Sequence, residues 1–251
     1  MTLETQDRRY HLVDAFRGLA LLNMLGMHFG YDYYVVFGRD PFWYRLPAVV
    51  VWQQYICWSF ILASGFVFRF GRKGNLRRGL LVNLCGLVIT AVTLIVMPQE
   101  AIWFGILNFF GCAIWLMIPL EKGLEKVSPP LGLAVSMLLF VLFRRVESGV
   151  LGFGSLWSVR LPRALYTTWI LTPLGFPRPD FSSSDYFPLL PWFFLYCAGW
   201  FLCAWVQRHP AWQAPLRKRI PLLSAVGRKT IWVYMLHQPV LMLINMLIAP
   251  K

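Results

Sequence analysis

The chain alternates between long apolar runs, most of roughly 17 to 22 residues, and short clusters of charged residues. A helix of about 20 apolar residues crosses the ~30 Å hydrocarbon core of a bilayer, because each residue adds about 1.5 Å. The pattern predicts helices at residues 12–30, 48–68, 79–97, 102–120, 130–143, 188–207 and 229–249. The sequence therefore predicts an all-α fold, a polytopic transmembrane bundle of about seven helices, formed by a single domain over residues 1–251.

Composition supports the membrane interpretation. Hydrophobic residues make up 58% of the chain and charged residues only 14%, against about 25% in soluble domains. The formal net charge of +13 is concentrated in loops, a pattern that favours contact with anionic headgroups of the lipid bilayer over nucleic-acid binding. All five cysteines lie in apolar runs, where the spacing suits neither disulfides nor a metal site.

The distribution of lysine and arginine predicts an orientation. Basic residues collect at the N-terminus (Arg8 and Arg9), in the 69–78 loop and at 208–229, which the positive-inside rule places in the cytoplasm together with the N-terminus. The first apolar run lacks a cleavage site and is expected to be a retained helix. The loop region 144–187 is then extracytoplasmic, and it is either a lid over a site or an amphipathic stretch on the outer leaflet.

The first predicted helix contains three ionisable groups: Asp14, Arg17 and His28. Charged groups in a transmembrane helix usually face the bundle interior or a water-filled cavity. Arg17 and His28 are eleven residues apart, about 20° beyond three full turns, so they share one face and are separated by about 16 Å along the axis. Asp14 lies one turn before Arg17 and is expected to pair with it.

This spacing is suitable for a polar channel that crosses the membrane. Arg17 near the cytoplasmic end can hold a phosphate-bearing donor, with Asp14 lowering the cost of its burial. His28 near the other end can take a proton from an attacking hydroxyl or amine. The alternatives are a topology anchor for Arg17 and an interfacial histidine for His28.

Three further polar residues are candidates. Asn108 and His237 lie within apolar helices, and both are candidates for the donor channel. Helical rise places His237 about 12 Å from the boundary at residues 228–229, nearer the level of Arg17 than that of His28. His237 is equally well explained as a helix-packing residue. Asp185, a candidate catalytic residue on the same predicted side as His28, either orients the acceptor or the histidine, or caps the sixth helix.

Several short segments resemble a known family. Residues 17–28 have the arginine, ten residues, histidine spacing of membrane acyltransferases, and the stretch from Val13 resembles the heparan-α-glucosaminide N-acetyltransferase catalytic-domain family and its bacterial relatives. Further similar segments are Phe60-Ile-Leu-Ala-Ser-Gly, Ile102-Trp-Phe-Gly-Ile-Leu-Asn, Asp185-Tyr-Phe-Pro-Leu-Leu-Pro-Trp and Gly227-Arg-Lys-Thr-Ile-Trp-Val-Tyr-Met-Leu-His-Gln-Pro. The resemblance to the lysosomal enzyme of this family would place an active histidine in the loop after the first helix, but the matching loop here, 31–47, contains no histidine. His28 instead fits the histidine of the wider superfamily pattern.

The resemblance implies an acyltransferase of a bacterial inner membrane. It implies transfer of an acyl group, typically acetyl from cytoplasmic acetyl-CoA, to a sugar amine or hydroxyl on the extracytoplasmic side, as part of glycan modification in the cell envelope. Direct transfer and a covalent acyl-histidine route are both open, as are the acceptor, the acyl chain length and the oligomeric state, a homodimer included. The alternative is a transporter or flippase for a glycan or lipid that uses the same polar channel.

Overall fold

The structure is a computed structural model, and it describes residues 9–248. Arg8 and the predicted helix end at residue 249 lie outside the described residues. The chain folds into two compact units. The first unit combines the residues up to Ala63 with those from Val206 onward, and the second runs from Ser64 to Trp205.

Most of the described part of the chain is helical, and its strands form one small hairpin. Its α-helices are α1 (His11–Tyr31), α2 (Pro47–Phe68), α3 (Asn75–Val96), α4 (Ile106–Leu124), α5 (Pro129–Leu142), α6 (Leu189–Gln207), α7 (Pro210–Leu216), α8 (Pro221–Arg228) and α9 (Thr230–Ile248). Strands β1 (Val150–Gly152) and β2 (Ser158–Arg160) form the antiparallel hairpin. The all-α prediction is confirmed, and a helix is present at each of the seven predicted positions.

Six of these helices, α2, α3, α4, α5, α6 and α9, belong to segments that are long and apolar enough to cross a membrane. Their outward surfaces carry large apolar side chains, such as Ile95, which is 82% exposed, and Leu247, which is 78% exposed. Such apolar faces are stable in contact with the hydrocarbon tails of lipids. α1 spans 21 residues but is not among the six, and its polar residues make it the least apolar of the seven predicted helices.

In the first unit, α8 packs tightly against α1 through two glycines. A Cβ atom added at Gly18 would lie 2.1 Å from the carbonyl oxygen of Leu223, and one at Gly227 would lie 1.8 Å from that of Asp14. Only residues without a side chain permit backbones to approach this closely. The same unit holds α1 against α2, because Trp52 donates from Nε1 to Oδ1 of Asn23 at 2.9 Å.

In the second unit, α3 and α4 pack through alternating asparagines and glycines. A Cβ at Gly86 would lie 2.6 Å from Oδ1 of Asn108, and one at Gly111 would lie 2.2 Å from Nδ2 of Asn83. The Asn108 amide also donates to the carbonyl oxygen of Asn83 at 3.5 Å. Each glycine therefore makes room for an asparagine of the facing helix, an arrangement typical of helix contacts in membranes.

The connection between α5 and α6 is ordered by its own hydrogen bonds. The β1–β2 hairpin pairs Val150 with Arg160, and the Tyr166 hydroxyl donates to the carbonyl oxygen of Val146. Tyr186 donates to Thr172 in the same way. The two predicted roles of this region, lid or interfacial stretch, both stay predictions.

Two features of the helix pattern differ from the prediction. α4 begins at Ile106 rather than at residue 102, because Phe104 has a positive φ of 53° that interrupts a helix. The helices α7 and α8 were not predicted, since both are short and lie in a basic segment interpreted as a loop. Each begins with a proline at its first turn, where the missing N–H needs no partner.

Candidate active site

His28 of α1 and His237 of α9 contact each other within the first unit. Their ring centroids are 4.8 Å apart, with the planes inclined by 67°. Two imidazoles joined by a straight N–H···N bond of about 3 Å would have centroids about 5 Å apart. The separation of the two rings is therefore compatible with a direct hydrogen bond between them.

The tautomer of His237 is fixed by its own helix. Its Nδ1 lies 2.6 Å from the carbonyl oxygen of Tyr234, and a carbonyl can only accept, so Nδ1 carries the proton. Nε2 then presents a lone pair. This nitrogen is buried and has no hydrogen-bond partner in the described part of the chain, and the residue as a whole is 9% exposed. His237 thus offers a fixed, unused acceptor beside His28.

The predicted position of His237 relative to the length of α1 was wrong. His237 lies beside His28, not near Arg17. The prediction assumed that the last helix starts at the membrane boundary. Instead, the Gly227 backbone contacts Asp14 and Gly18, so α9 starts alongside the first half of α1. From there about two turns of helix bring His237 to the end of α1 that contains His28. This placement could not be seen in the sequence because α8 was not predicted.

Asp32 is a buried acidic residue near the histidine pair that the sequence interpretation missed. It lies one helical turn after His28 and is fully buried at 0% exposure. Its Oδ1 accepts a hydrogen bond of 2.8 Å from Nε2 of Gln238, the neighbour of His237. The bond therefore joins the two segments that carry the histidines. The four-residue spacing from His28 was the available signal, but Asp32 fell just beyond the predicted helix.

The backbone changes its winding at this point. Residues Asp32–Val36 form a π-helical segment that continues directly from α1, and π segments occur frequently at functional sites. Farther along α9, Nδ2 of Asn245 lies 3.5 Å from the carbonyl oxygen of Phe29. The end of α1 and the segment that continues it are thus held to α9 at two points, Gln238 and Asn245, both of which follow His237 in the chain.

At the other end of α1, Asp14 pairs with two arginines. Its closest partner is Arg9, with Nε at 2.6 Å, and the predicted partner Arg17 approaches to 3.9 Å. The predicted ion pair is therefore present, although Arg9 makes the shorter contact. α1 is one uninterrupted helix across both Arg17 and His28, so their eleven-residue spacing keeps them on one face.

Asp185 and Asn108 belong to the second unit. Asp185 accepts a hydrogen bond of 3.1 Å from the backbone N–H of Ile106, the first residue of α4. It therefore caps α4, rather than the helix that follows it in sequence, because the first N–H groups of a helix lack internal partners. Asn108 takes part in the packing of α3 against α4. Roles of either residue in catalysis or donor binding stay predictions.

The carboxyl of Asp185 is also electrostatically unusual. Burial raises its pKa to about 6 from the ordinary 3.8, while the hydrogen bond from Ile106 acts in the opposite direction. Desolvation disfavours the charged form, and one backbone donor does not compensate for it. Asp185 therefore titrates closer to neutrality than an exposed aspartate does.

Within residues 9–248, no group of three or more histidine, cysteine, aspartate or glutamate side chains is arranged to hold a metal ion. The paired histidines are carried by two helices of the bundle, α1 and α9. Fold and site together define an all-α integral membrane protein.

The family follows from comparison with known proteins. A family model described as heparan-alpha-glucosaminide N-acetyltransferase, catalytic, matches residues 9–239. The chain belongs to this family of membrane acetyltransferases. The match includes both His28 and His237, as well as Asp32 and Asp185. Searches of curated proteins and of solved structures return no significant match.

Proposed function

We propose that the protein transfers an acetyl group from acetyl-CoA to an amine or hydroxyl of a sugar, with His28 as the general base. The contact between His28 and His237 is the observation that supports this most directly. Family membership supports the reaction class. The paired rings supply what that reaction needs from the protein, a positioned group that can take a proton.

In this mechanism His237 sets the tautomer of His28. A neutral His28 has one N–H and one lone pair. Because Nε2 of His237 can only accept, it favours the form in which His28 turns its N–H toward it. The second His28 nitrogen then presents its lone pair to the acceptor. His237 is a positioning residue in this scheme.

The transfer step balances without a further reactant. The acceptor nitrogen or oxygen forms a bond to the thioester carbonyl carbon, and its proton passes to the lone pair of His28. The carbon–sulfur bond breaks, and the departing thiolate takes that proton back from the imidazolium. The products are an amide or ester and free CoA. A covalent route would instead form the first bond between His28 and the acetyl carbon.

The donor is proposed to enter at the end of α1 that carries Asp14 and Arg17. The basic residues near this end favour a cytoplasmic location by the positive-inside rule, and the acceptor would then be extracytoplasmic. Arg17 would hold a phosphate of the donor, since a guanidinium matches phosphate oxygens in charge and geometry. The inner membrane of a bacterium is proposed on the resemblance to bacterial relatives of the family alone.

The test is release of free CoA thiol by purified protein in nanodiscs, with acetyl-CoA and a panel of amino sugars and neutral sugars. The proposal expects release that depends on one class of acceptor. A sugar that crosses the membrane without any release of CoA would favour a transporter instead. Comparing an amino sugar with its hydroxyl analogue also separates N-transfer from O-transfer.

A further inference from the structure

A second polar cluster of the first unit lies where α1 begins. Nε of Arg219 donates to Nε2 of His11 at 3.1 Å. The Ser224 hydroxyl of α8 donates to the backbone carbonyl of His11, also at 3.1 Å. The segment 219–224 is therefore attached to the first turn of α1 at two points of His11.

The hydrogen bond from Arg219 determines the state of His11. Because Nε2 accepts, the neutral ring carries its proton on Nδ1. Nδ1 is buried and has no hydrogen-bond partner among residues 9–248, and His11 as a whole is 7% exposed. A buried donor without an acceptor is unfavourable, and an anionic oxygen would remove the penalty.

The charged groups around His11 are mostly positive. Arg219, Arg9 and Arg228 are all close enough to act on it electrostatically, and the carboxylate of Asp14 acts in the opposite direction. Asp14 is already paired with Arg9 and Arg17. Arg219 and Arg228 are exposed, so a ligand can reach them.

We propose that this cluster, formed by His11, Arg9, Arg219 and Arg228, binds a phosphate monoester. The Nδ1–H of His11 would donate to one phosphate oxygen, and the guanidinium groups would bind the others. Two sources offer this chemistry: the 3′-phosphate of a CoA donor, and the headgroup of an anionic lipid. The first source rests on the function proposed above, and the second does not.

The test measures equilibrium binding rather than turnover, using the full chain in phosphatidylcholine nanodiscs. CoA and 3′-dephospho-CoA are the two soluble probes, since they differ only in the phosphate concerned. Arg219→Gln removes a charge from the cluster, and Arg217→Gln removes the same charge two residues away. We expect Arg219→Gln to weaken CoA binding about tenfold, the effect of about 1.4 kcal/mol, and to leave 3′-dephospho-CoA binding unchanged. Arg217→Gln should bind both probes as the wild type does.

A lipid arm distinguishes the second source. If Arg219→Gln binds phosphatidic acid more weakly than the wild type but binds CoA equally well, the same phosphate site is occupied by a lipid headgroup. If Arg219→Gln does not fold, Arg228→Gln tests the same cluster. Equal effects of the cluster variant and Arg217→Gln on every probe would overturn the proposal. A protein that binds these phosphates but releases no CoA would count against the acetyltransferase function alone.

Discussion

The imidazole rings of His28 and His237 lie 4.8 Å apart, although 208 residues separate them in sequence. Their contact depends on the close packing of α8 against α1, which starts α9 beside the first half of α1. The site is therefore a product of two helices and of the short, unpredicted helix that aligns them.

Removing the positioning histidine should slow the reaction without abolishing donor binding. We expect His237→Phe to reduce kcat by about 10²-fold, within the usual range for loss of acid–base assistance, with little change in the KM for acetyl-CoA. His237→Gln keeps an oxygen acceptor and should recover part of the rate. His209→Phe is the matched control, since His209 is exposed in the α6–α7 connection. An unchanged kcat in His237→Phe would remove His237 from the mechanism.

The hydrogen bond between Asp32 and Gln238 should stabilise the fold. Asp32→Leu leaves the Gln238 amide without its buried acceptor, and we expect the free energy of unfolding to fall by about 1–3 kcal/mol. Asp180→Leu, at an exposed pair with Arg178, should change it little. Thermal unfolding in one detergent compares the two. Equal stability of both variants would mean that Asp32 is not needed to join α1 and α9.

The contact between α1 and α8 should tolerate no side chain. We expect Gly18→Ala and Gly227→Ala each to lower stability strongly, because the added methyl groups would meet backbone oxygens that cannot rotate away. Gly74→Ala adds the same methyl where no atom lies within 4 Å. Yield of monodisperse protein and its melting temperature measure the effect. Wild-type behaviour of Gly227→Ala would show that the two helices are less close than described.

The pKa of Asp185 predicts a dependence of stability on pH. Its folded pKa of about 6 lies above the ordinary 3.8, so the folded state holds this proton where the unfolded state has lost it. The contribution to stability is therefore fully present below about pH 4 and decreases as the pH rises to about 6. Asp185→Asn should lack this decrease, and Asp180→Asn should retain it. Melting curves between pH 4 and 7 test this, and identical profiles for wild type and Asp185→Asn would contradict it.

Much of the fold could be predicted from the sequence because long apolar runs leave a membrane chain few alternatives to helices. The pairing of Asp14 with Arg17 was also predictable, since both lie on one turn of one helix. The contact of His28 with His237 was not, because it depends on where one helix starts relative to another. Gly18 and Gly227 determine that alignment, but the sequence does not show which residues a given glycine will contact.

The role of His28 as general base is tested by comparing CoA release by wild type, His28→Ala and His209→Ala, each shown to be folded and to bind acetyl-CoA. We expect His28→Ala to reduce the acceptor-dependent rate by about 10²- to 10⁴-fold, while His209→Ala matches the wild type. A His28→Ala protein that releases CoA at the wild-type rate would contradict the assignment of His28 as the general base.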